Sequence, residues 1–494
     1  MTDNRVAGML LPIFSLPGKY GIGRMGEQAM RFVDQLAESR QSIWQILPLG
    51  PTGFGDSPYS SFSTHAGNPY FIDLDRLVSA GLIDQIELDI DWGSDDGRVD
   101  YGLVHANNGL ILRRAFERSD DLADPSFLEF CELNPWLGDY ADYVVIKDAH
   151  GQQSWDHWPQ PLRRRDPRAL AEFRADHERE IAFEKWVQWV FFTQWNELHD
   201  YANSRGVKIF GDLPIYVSYD SADTWANPEL FNLDDDLLPI TVAGCPPDSF
   251  STTGQLWGNP IYDWAEHERT KFAWWVQRLS YQMRRVDILR IDHFRGLESY
   301  YEVPAGSEDA RFGEWRKGPG MKFFAAVRAQ LGDLPLVLED LGYLTDEVEQ
   351  LREQTGYPGM KPLQFAFDTR EDADYLPHSF TKNCVCYTGT HDNDTLVGWL
   401  DGIRPEDLEM ARVYVNELGS DVERFCWSLI TCAMTSVADT TIIPVADYLC
   451  LGSQARINTP ASSENNWQWR LKDGELTDEV LARIATLVGV AERG

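Results

Sequence analysis

The chain has 494 residues, of which 78 are acidic and 44 basic, so its formal net charge is −34. Nucleic acids and anionic membrane surfaces attract basic faces, so this charge argues against both as partners and is compatible with a neutral substrate. No stretch of 18 apolar residues occurs, so the sequence predicts no membrane-spanning helix.

Eight short apolar runs end in polar or acidic residues, which is typical of buried parallel strands. In chain order they cover 8–16, 42–50, 207–217, 286–294, 335–342, 360–367, 384–393 and 441–449. Helical periodicity appears between and after them, in the face formed by Met25, Ala29, Phe32, Val33 and Leu36, in 344–354, in a long stretch through Ile430 and in 476–488. Alternating strands and helices predict a parallel sheet, and eight strands predict a (β/α)8 TIM barrel.

A TIM barrel needs ~250 residues, so the surplus is expected in large, mainly helical insertions within one catalytic domain, 1–494. The first insertion is predicted at about 51–206, after the second strand, and it ends in an aromatic helix, 181–202. The second is predicted at about 218–275, after the third strand. It contains a hairpin around 233–242 and a Gly- and Pro-rich loop, 243–260.

Seven cysteines are present, an odd number without any CxxC or zinc-binding spacing, and most lie in apolar runs. They are interpreted as small core residues. The N-terminus lacks the basic flank and the long apolar segment of a signal peptide. The sequence therefore predicts a protein of the reducing cytoplasm.

Carboxylates stand at the predicted strand ends, where a TIM barrel carries its active site. They are Asp212, Asp292, Glu339, Asp340 and Asp392, with Asp447 as a weaker candidate. Asp292 and Glu339 are separated by about one βα unit, so they are expected on neighbouring strands. A single strand-end aspartate is more often a cap, and it is the coincidence of several that indicates a site.

Two of these carboxyls are expected to have opposite pKa shifts. Glu339 follows an apolar strand, and burial raises the pKa of a carboxyl. Arg290 lies two positions before Asp292 on the same strand face, and a nearby cation lowers a carboxylate's pKa. An acid paired with an ionised carboxylate is typical of glycoside cleavage, and retaining enzymes hold the two ~5–5.5 Å apart.

Tryptophan and tyrosine are abundant, which also suits sugar rings.

A divalent-metal site is the competing interpretation, because Mg²⁺ and Mn²⁺ enzymes also gather carboxylates at barrel mouths, and His293 and His391 could join them. Arg290 and Arg295 beside the acids oppose a cation, and no HxH or HExxH motif occurs. By itself His293 is interpreted as a packing or capping residue. The run 162–168 is interpreted as a solvated face and 234–236 as a hairpin turn.

Seven longer motifs carry a family resemblance. They are PLGPTGFGDSPYSSFSTHAGNPYFIDL (48–74), GDLPIYV (211–217), GCPPDSFSTTGQLWGNPIYDW (244–264), LRIDHFRG (289–296), LEDLG (338–342), TGTHDNDT (388–395) and INTPA (457–461). In this order and spacing the chain resembles the 4-α-glucanotransferases, or amylomaltases, of the α-amylase clan. The match covers essentially the whole chain. Because the chain begins almost at the first strand, it is similar to the short bacterial type without an extra N-terminal domain.

The resemblance implies a role for each matching residue. Asp292 would be the nucleophile, Glu339 the general acid/base and Asp392 the carboxylate that steadies the transition state. The residues that would surround the sugars are Tyr59, Asp212, Trp257, Arg290, His391 and Asn458, with Trp257 on the acceptor side. The family also implies no metal and no organic cofactor.

The resemblance implies transfer of α-1,4-glucan segments between maltooligosaccharide or starch chains, with glucose or maltose as acceptor. A hydrolase of the same clan stays open as an alternative, because it could carry the same 243–260 loop. A glucan-binding barrel without activity is a third hypothesis. The three intact carboxylates argue against it.

Overall fold

The computed structural model describes residues 5–247, 251–342, 344–370, 375–419, 421–460, 462 and 464–494. These residues form twelve β-strands. They are β1 Val6–Leu10, β2 Ile43–Gln45, β3 Lys208–Pro214, β4 Thr241–Cys245, β5 Gln255–Pro260, β6 Ile288–Asp292, β7 Ser299–Pro304, β8 Glu314–Lys317, β9 Leu336–Leu338, β10 Gly359–Pro362, β11 Cys384–Tyr387 and β12 Thr440–Pro444.

Eight of these strands form one parallel sheet in the order β10-β11-β12-β1-β2-β3-β6-β9. Each coincides with one of the eight apolar runs, so the predicted strands and the predicted barrel are confirmed. The two end strands meet where the Leu338 N–H donates to the Pro358 carbonyl, at 2.9 Å. The barrel strands are short and mostly buried along their length, which is why their sequences read as continuous apolar runs rather than as alternating ones.

The described residues also form eighteen α-helices. They are α1 Glu27–Glu38, α2 Leu74–Ser79, α3 Tyr101–Arg118, α4 Pro125–Leu133, α5 Trp136–Ala149, α6 Gln160–Arg163, α7 Pro167–Asp176, α8 Glu178–Ser204, α9 Ala222–Ala226, α10 Trp264–Arg269, α11 Ala273–Gln282, α12 Met321–Leu331, α13 Asp346–Thr355, α14 Leu396–Gly402, α15 Pro405–Tyr414, α16 Val422–Thr435, α17 Val445–Tyr448 and α18 Asp478–Val490. Across these described segments, no helix has the length and apolar character needed to cross a bilayer.

The predicted helices are confirmed, with one difference after β11. The long helical stretch expected there is divided into α14, α15 and α16. Pro405 occupies the first position of α15, which it can do because the first amide of a helix needs no intrahelical acceptor. Asp421 then starts α16 by accepting a hydrogen bond from the Arg424 N–H, at 2.9 Å. These two helix-start signals divide the stretch into three helices, whereas helical periodicity alone predicts one long helical stretch.

Helices α2–α8 lie between β2 and β3 in the chain, and the long α8 holds the loop that follows β2. The Gln188 side chain accepts from the Gly67 N–H at 2.7 Å and donates to the Gly67 carbonyl at 3.0 Å. Gln194, two turns further along α8, accepts from the Asp73 N–H at 2.7 Å. Both glutamines are buried. The loop that carries Tyr59 is thus fixed to a helix of the insertion.

A second, antiparallel sheet has the order β5-β4-β7-β8, and the sequence did not predict it. Its strands come from two separate connections, the one between β3 and β6 and the one between β6 and β9. The hairpin predicted around 233–242 is reduced to a bridge between Leu233 and Pro239, and the strand itself begins at Thr241. The assignment of the whole chain to one domain with two insertions stays a prediction.

Candidate active site

Three of the predicted site residues lie on two adjacent barrel strands. Asp212 on β3 is directly opposite Arg290 on β6, and Asp292 follows two positions later on the same face. Arg290 Nη1 lies 2.6 Å from Asp212 Oδ2, and Arg290 Nη2 lies 2.9 Å from Asp292 Oδ1. The side chains of Asp212 and Arg290 are 0% and 3% exposed, whereas that of Asp292 is 27% exposed. Asp292 is therefore the member of the trio that faces the open end of the barrel.

Glu339 occupies the position opposite Asp292 on the neighbouring strand. The register pairs Ile291 with Leu338, so the next residue of each strand is one of the two carboxylates. Adjacent strands lie ~4.8 Å apart, which brings the two within reach of one substrate atom. The Glu339 carboxyl accepts hydrogen bonds from the His293 N–H at 2.7 Å and from the Leu341 N–H at 3.0 Å.

The backbone of His293 is in the left-handed region, with φ 51°. A non-glycine residue adopts this conformation at a cost of about 1 kcal/mol or more, and such residues concentrate at functional sites. The turn directs the His293 N–H at the Glu339 carboxyl instead of continuing the strand. The left-handed conformation of His293 is unfavourable by itself, and it fixes the orientation of Glu339 beside Asp292.

The pKa shifts of the two carboxyls agree with the sequence prediction only for Glu339. Burial raises the pKa of Glu339 to about 7, against the opposing effects of Arg290 and the two backbone N–H groups. Burial also raises the pKa of Asp292 well above the usual aspartate range, and Arg290 opposes this shift. Arg290 lowers the pKa of Asp292 as expected, but the predicted net direction is wrong, because burial and the carboxylates of Asp212, Glu339 and Asp392 outweigh this one cation.

Tyr59 joins the loop after β2 to this cluster. Its hydroxyl donates to Asp212 Oδ2 at 2.6 Å and lies 2.8 Å from His391 Nε2. Burial lowers the pKa of His391, so the imidazole is neutral at pH 7. Because the single Tyr59 proton goes to Asp212, the hydroxyl oxygen accepts from His391, which places the imidazole proton on Nε2. The Tyr59 and His391 rings are stacked, with centroids 5.3 Å apart.

Asp392 and Asn458 form the other wall of the site. Asn458 Nδ2 donates to Asp392 Oδ1 at 2.6 Å, and the Asn458 N–H donates to the His391 carbonyl at 3.1 Å. Arg456 Nη2 donates to the Asp392 carbonyl at 2.8 Å. The Asp392 side chain is 41% exposed. Asn458 holds its Oδ1, and its Oδ2 lies 3.5 Å from His391 Nε2.

Trp257, on β5 of the second sheet, lies beside His293. Its indole ring meets the imidazole edge-on, with centroids 4.7 Å apart, and it is 36% exposed. The second sheet therefore brings an aromatic face to the turn that follows Asp292. Residues 248–250 of the predicted 243–260 loop, and residue 461 of the last motif, lie outside the described residues.

Two of the candidate carboxylates are structural. Asp340 is buried, accepts from the Met360 N–H at 2.7 Å and pairs with Arg352 at 3.4 Å. Asp447 is buried and accepts from the Leu396 N–H at 2.7 Å. Both carboxylates hold neighbouring backbone in place, so the strand-end rule selects two residues too many.

Arg295 was also expected beside the acids, and the structure places it differently. Its guanidinium lies over the Trp315 ring, 4.0 Å from the centroid, and donates to Ser299 at 3.4 Å. Arg290 contacts the carboxyls of Asp212 and Asp292. As far as the described residues extend, no group of three or more His, Cys, Asp or Glu side chains is arranged to hold a metal ion.

The family model described as 4-alpha-glucanotransferase matches residues 11–477 of the chain. This match spans most of the sequence and all of the site. The chain belongs to the 4-α-glucanotransferase family. It is an enzyme that transfers glucan segments, and the alternative of a barrel without activity is set aside.

Relatives that carry the family's name are similar over nearly their whole length. The 4-alpha-glucanotransferase of Clostridium butyricum is 44% identical over 97% of this chain and 99% of its own. That of Thermus thermophilus is 45% identical over 99% of both chains. An amylomaltase from Streptococcus agalactiae, solved in complex with acarbose, is 39% identical, with a TM-score of 0.96 over 99% of this chain and 100% of that one.

Sequence reasoning missed three contributors to this candidate active site. The His293 N–H holds Glu339, Arg456 holds the backbone of Asp392, and the Trp467 ring lies 5.8 Å from that of Tyr59. The sequence offers a signal only for the first of these, because histidine adopts the left-handed backbone region more often than most non-glycine residues. Trp467 and Arg456 come from a segment after the last barrel strand and have no local pattern.

Proposed function

We propose that the enzyme transfers α-1,4-glucan segments from one maltooligosaccharide or starch chain to the 4-hydroxyl of another, by a retaining double displacement. The observation that carries this proposal is the placement of Asp292 and Glu339 at opposite positions of β6 and β9, with Arg290 in contact with Asp292 alone of the two. The Streptococcus agalactiae relative was solved in complex with acarbose, which supports a ligand of sugar type for this enzyme.

The protonation state of the pair follows from its electrostatics. Both carboxyls have raised pKa values, so near neutral pH the pair holds a proton. The Arg290 guanidinium lies 2.9 Å from Asp292 and favours the negative charge there, which leaves the proton on Glu339. In this state Asp292 is a nucleophile and Glu339 is an acid.

In the first step an Asp292 carboxylate oxygen attacks the anomeric carbon of the donor sugar. The bond from that carbon to the glycosidic oxygen breaks, its electron pair stays on the oxygen, and Glu339 supplies the proton that makes it a hydroxyl. The products are a glucosyl ester on Asp292, a shortened chain with a free 4-hydroxyl and an ionised Glu339. The anomeric carbon of this ester has the configuration opposite to that of the donor, and the second step inverts it again.

In the second step the 4-hydroxyl of an acceptor sugar attacks the anomeric carbon from the opposite side. Glu339 takes the proton of this hydroxyl, the ester bond breaks, and Asp292 leaves as a carboxylate. The stereochemistry of the donor is retained and both residues return to their starting states. We propose glucose or maltose as acceptor. The predicted spacing of ~5–5.5 Å between the two carboxyls stays a prediction.

The other residues divide by their exposure. We propose that Asp392 binds sugar hydroxyls and steadies the positive charge of the transition state, with Asn458 holding its orientation, because the Asp392 side chain is 41% exposed beside Asp292 and Glu339 and is accessible to a sugar. Tyr59, Arg290 and His391 form the wall behind the transferred sugar. The Asp212 side chain is wholly buried, so we assign it to positioning Tyr59 and Arg290 and not to sugar contact, which revises the role that the resemblance implies.

Transfer requires that an acceptor sugar reach the ester before water does. We propose that Trp257 supplies a stacking face for the acceptor, supported by its partial exposure beside the turn after Asp292. We also propose a cytoplasmic location. Seven cysteines, an odd number, with Cys384, Cys386 and Cys426 buried, are typical of a protein kept reduced.

Product analysis on maltotriose tests the function. Transfer yields glucose together with longer oligosaccharides at a constant number of reducing ends. Hydrolysis yields glucose and maltose with a rising number of reducing ends. Asp292→Asn is the control, and it should form neither set of products. A steady rise in reducing ends with wild-type enzyme would contradict the transferase assignment.

A further inference from the structure

A cavity of ≈ 300 Å³ lies outside the barrel, between α4, α8 and the segment that joins α11 to β6. Four aromatic side chains and two arginines dominate its walls, namely Phe130, Trp189, Phe192, Tyr281, Arg284 and Arg285. The arginines precede the amino end of β6, whereas Asp292 stands at its carboxyl end. The cavity is therefore separate from the catalytic site, and none of the residues proposed for catalysis lines it.

Arg285 is buried without a counter-ion. The residue is 6% exposed, and its guanidinium lies 4.2 Å from the centroid of the Phe192 ring and 5.9 Å from that of Trp136. Among the described residues, no side chain or carbonyl forms a hydrogen bond or ion pair with this guanidinium. Burial lowers the pKa of Arg285 to about 9, so it is still charged at neutral pH. In the described part of the chain no Arg285 nitrogen is both buried and without a partner, so its N–H groups reach the cavity, where an anion can contact them.

A second cation stands next to it. Arg284 is exposed, and its guanidinium lies over the Tyr281 ring, 5.1 Å from the centroid. In the described part of the chain Arg284 also forms no ion pair. The lining includes one carboxylate, that of Glu129, which is exposed. Two adjacent arginines without acidic partners are conspicuous in a chain with a net charge of −34, and they give this cavity a local positive charge.

We propose that the cavity binds a sugar phosphate, with the phosphate on Arg285 and Arg284 and the sugar ring against the aromatic walls. An arginine that stacks on an aromatic face still directs its N–H groups outwards in its plane, which suits phosphate oxygens. Trp189 and Phe130 offer faces for the sugar C–H groups, and Asn196 and Thr193 supply polar groups for its hydroxyls. The volume is at the lower limit of small-molecule sites, which fits a monosaccharide and not an oligosaccharide. This proposal does not depend on the proposed catalytic function.

Calorimetric titration of the full-length enzyme with glucose 6-phosphate, inorganic phosphate and glucose tests the proposal. We expect saturable binding of glucose 6-phosphate, and a loss of ~10- to 100-fold in its affinity in Arg285→Met, as for a charge-assisted hydrogen bond. Arg168→Gln, a change of an arginine on α7 whose side chain is 87% exposed, is the matched control and should leave the affinity unchanged. Glucose binding should be equal in all variants.

Three results would overturn the proposal. The first is the absence of saturable glucose 6-phosphate binding. The second is inorganic phosphate binding as tightly as glucose 6-phosphate, which removes the sugar from the assignment. The third is equal affinity in wild type and Arg285→Met. If Arg285→Met does not fold, Arg284→Gln decides, because Arg284 is exposed and its affinity loss should still be several-fold.

Discussion

Replacing Arg290 with methionine should destabilise the fold as well as stop the reaction. Methionine keeps much of the side-chain length but removes the cation that contacts Asp212 at 2.6 Å and Asp292 at 2.9 Å. The two carboxylates differ in their access to water. Asp292 is partly exposed and can be hydrated, whereas the Asp212 side chain is 0% exposed and its Oδ1 has no hydrogen-bond partner among the described residues.

The magnitude follows from this difference. Each ion contact is worth ~6 kcal/mol at an effective dielectric constant of ~20, and most of it is offset by desolvation in the folded protein. Removing one partner leaves the desolvation penalty of Asp212 uncompensated, so the free energy of unfolding should fall by ~3–5 kcal/mol. At the same time the pKa of Asp292 should rise further, and kcat/KM for maltotriose should fall at least ~100-fold.

Urea unfolding and the maltotriose assay measure the two effects. The double variant Arg290→Met/Asp212→Asn removes the stranded charge, so it should recover at least ~2 kcal/mol of stability without recovering activity. Arg168→Met, on the exposed face of α7, should change stability by less than ~0.5 kcal/mol. Arg290→Met within ~1 kcal/mol of wild type, or a double variant no more stable than the single one, would refute the reasoning.

Three further outcomes are expected. Burial raises the pKa of Glu339 to about 7, so the acid loses its proton and kcat/KM should fall as pH rises through about 7; a profile flat from about pH 6 to about 9 would contradict this. Asn458→Ala removes the hydrogen bond of 2.6 Å to Asp392 and should lower kcat/KM ~10- to 100-fold while the thermal stability stays unchanged. A loss of kcat/KM below about twofold would show that the contact is incidental. EDTA should leave activity unchanged, and a loss restored by Ca²⁺ or Mg²⁺ would support a metal site.

The barrel was predictable because its strands are buried on both faces. Runs such as 441–445, which spans most of β12, contain mainly apolar and β-branched residues, and the number and spacing of the eight runs define the fold. The second sheet was not predictable on the same grounds. Its strand β8 is exposed at every residue and β5 is exposed at half of its residues, so neither has an apolar pattern to detect. Their pairing is set by tertiary contacts between two distant connections.

The site residues also differ in how far the sequence could predict them. Strand ends select Asp292 and Glu339 as candidates, because position on a barrel strand is visible in the sequence. The function of a strand-end carboxylate depends on which groups meet it. Asp340 accepts from the Met360 N–H, 20 residues away, and Asp447 from the Leu396 N–H, 51 residues away. Such partners are absent from any local pattern, so the sequence ranked Asp340 with Asp392 and kept Asp447 as a weaker candidate.

The predicted direction of the Asp292 pKa shift was wrong for a related reason. Arg290 lies on the same strand and was visible two positions away. The carboxylates that outweigh it come from other strands, and so does the packing that buries Asp292. The pKa of a group depends on neighbours from several strands and loops, whereas a short stretch of sequence contains only one of these elements.

The covalent mechanism is tested most directly by trapping the glucosyl ester. Glu339→Gln cannot protonate a leaving oxygen, and its amide NH₂ must also face one of the two backbone N–H donors, so Glu339→Ala serves as a second variant. An α-glucosyl fluoride needs little protonation, so its first step should survive in both. Release to an acceptor needs Glu339 as base, and general acid–base help is worth ~10²–10⁴-fold, so the intermediate should accumulate.

Intact-mass spectrometry after mixing with the fluoride gives the answer. The account predicts one added glucosyl group in Glu339→Gln or Glu339→Ala, mapped to Asp292 by peptide analysis, and no adduct when Asp292→Asn is added to the same variant. The absence of an adduct in both Glu339 variants, or an adduct on any residue other than Asp292, would contradict the assignment of nucleophile and acid.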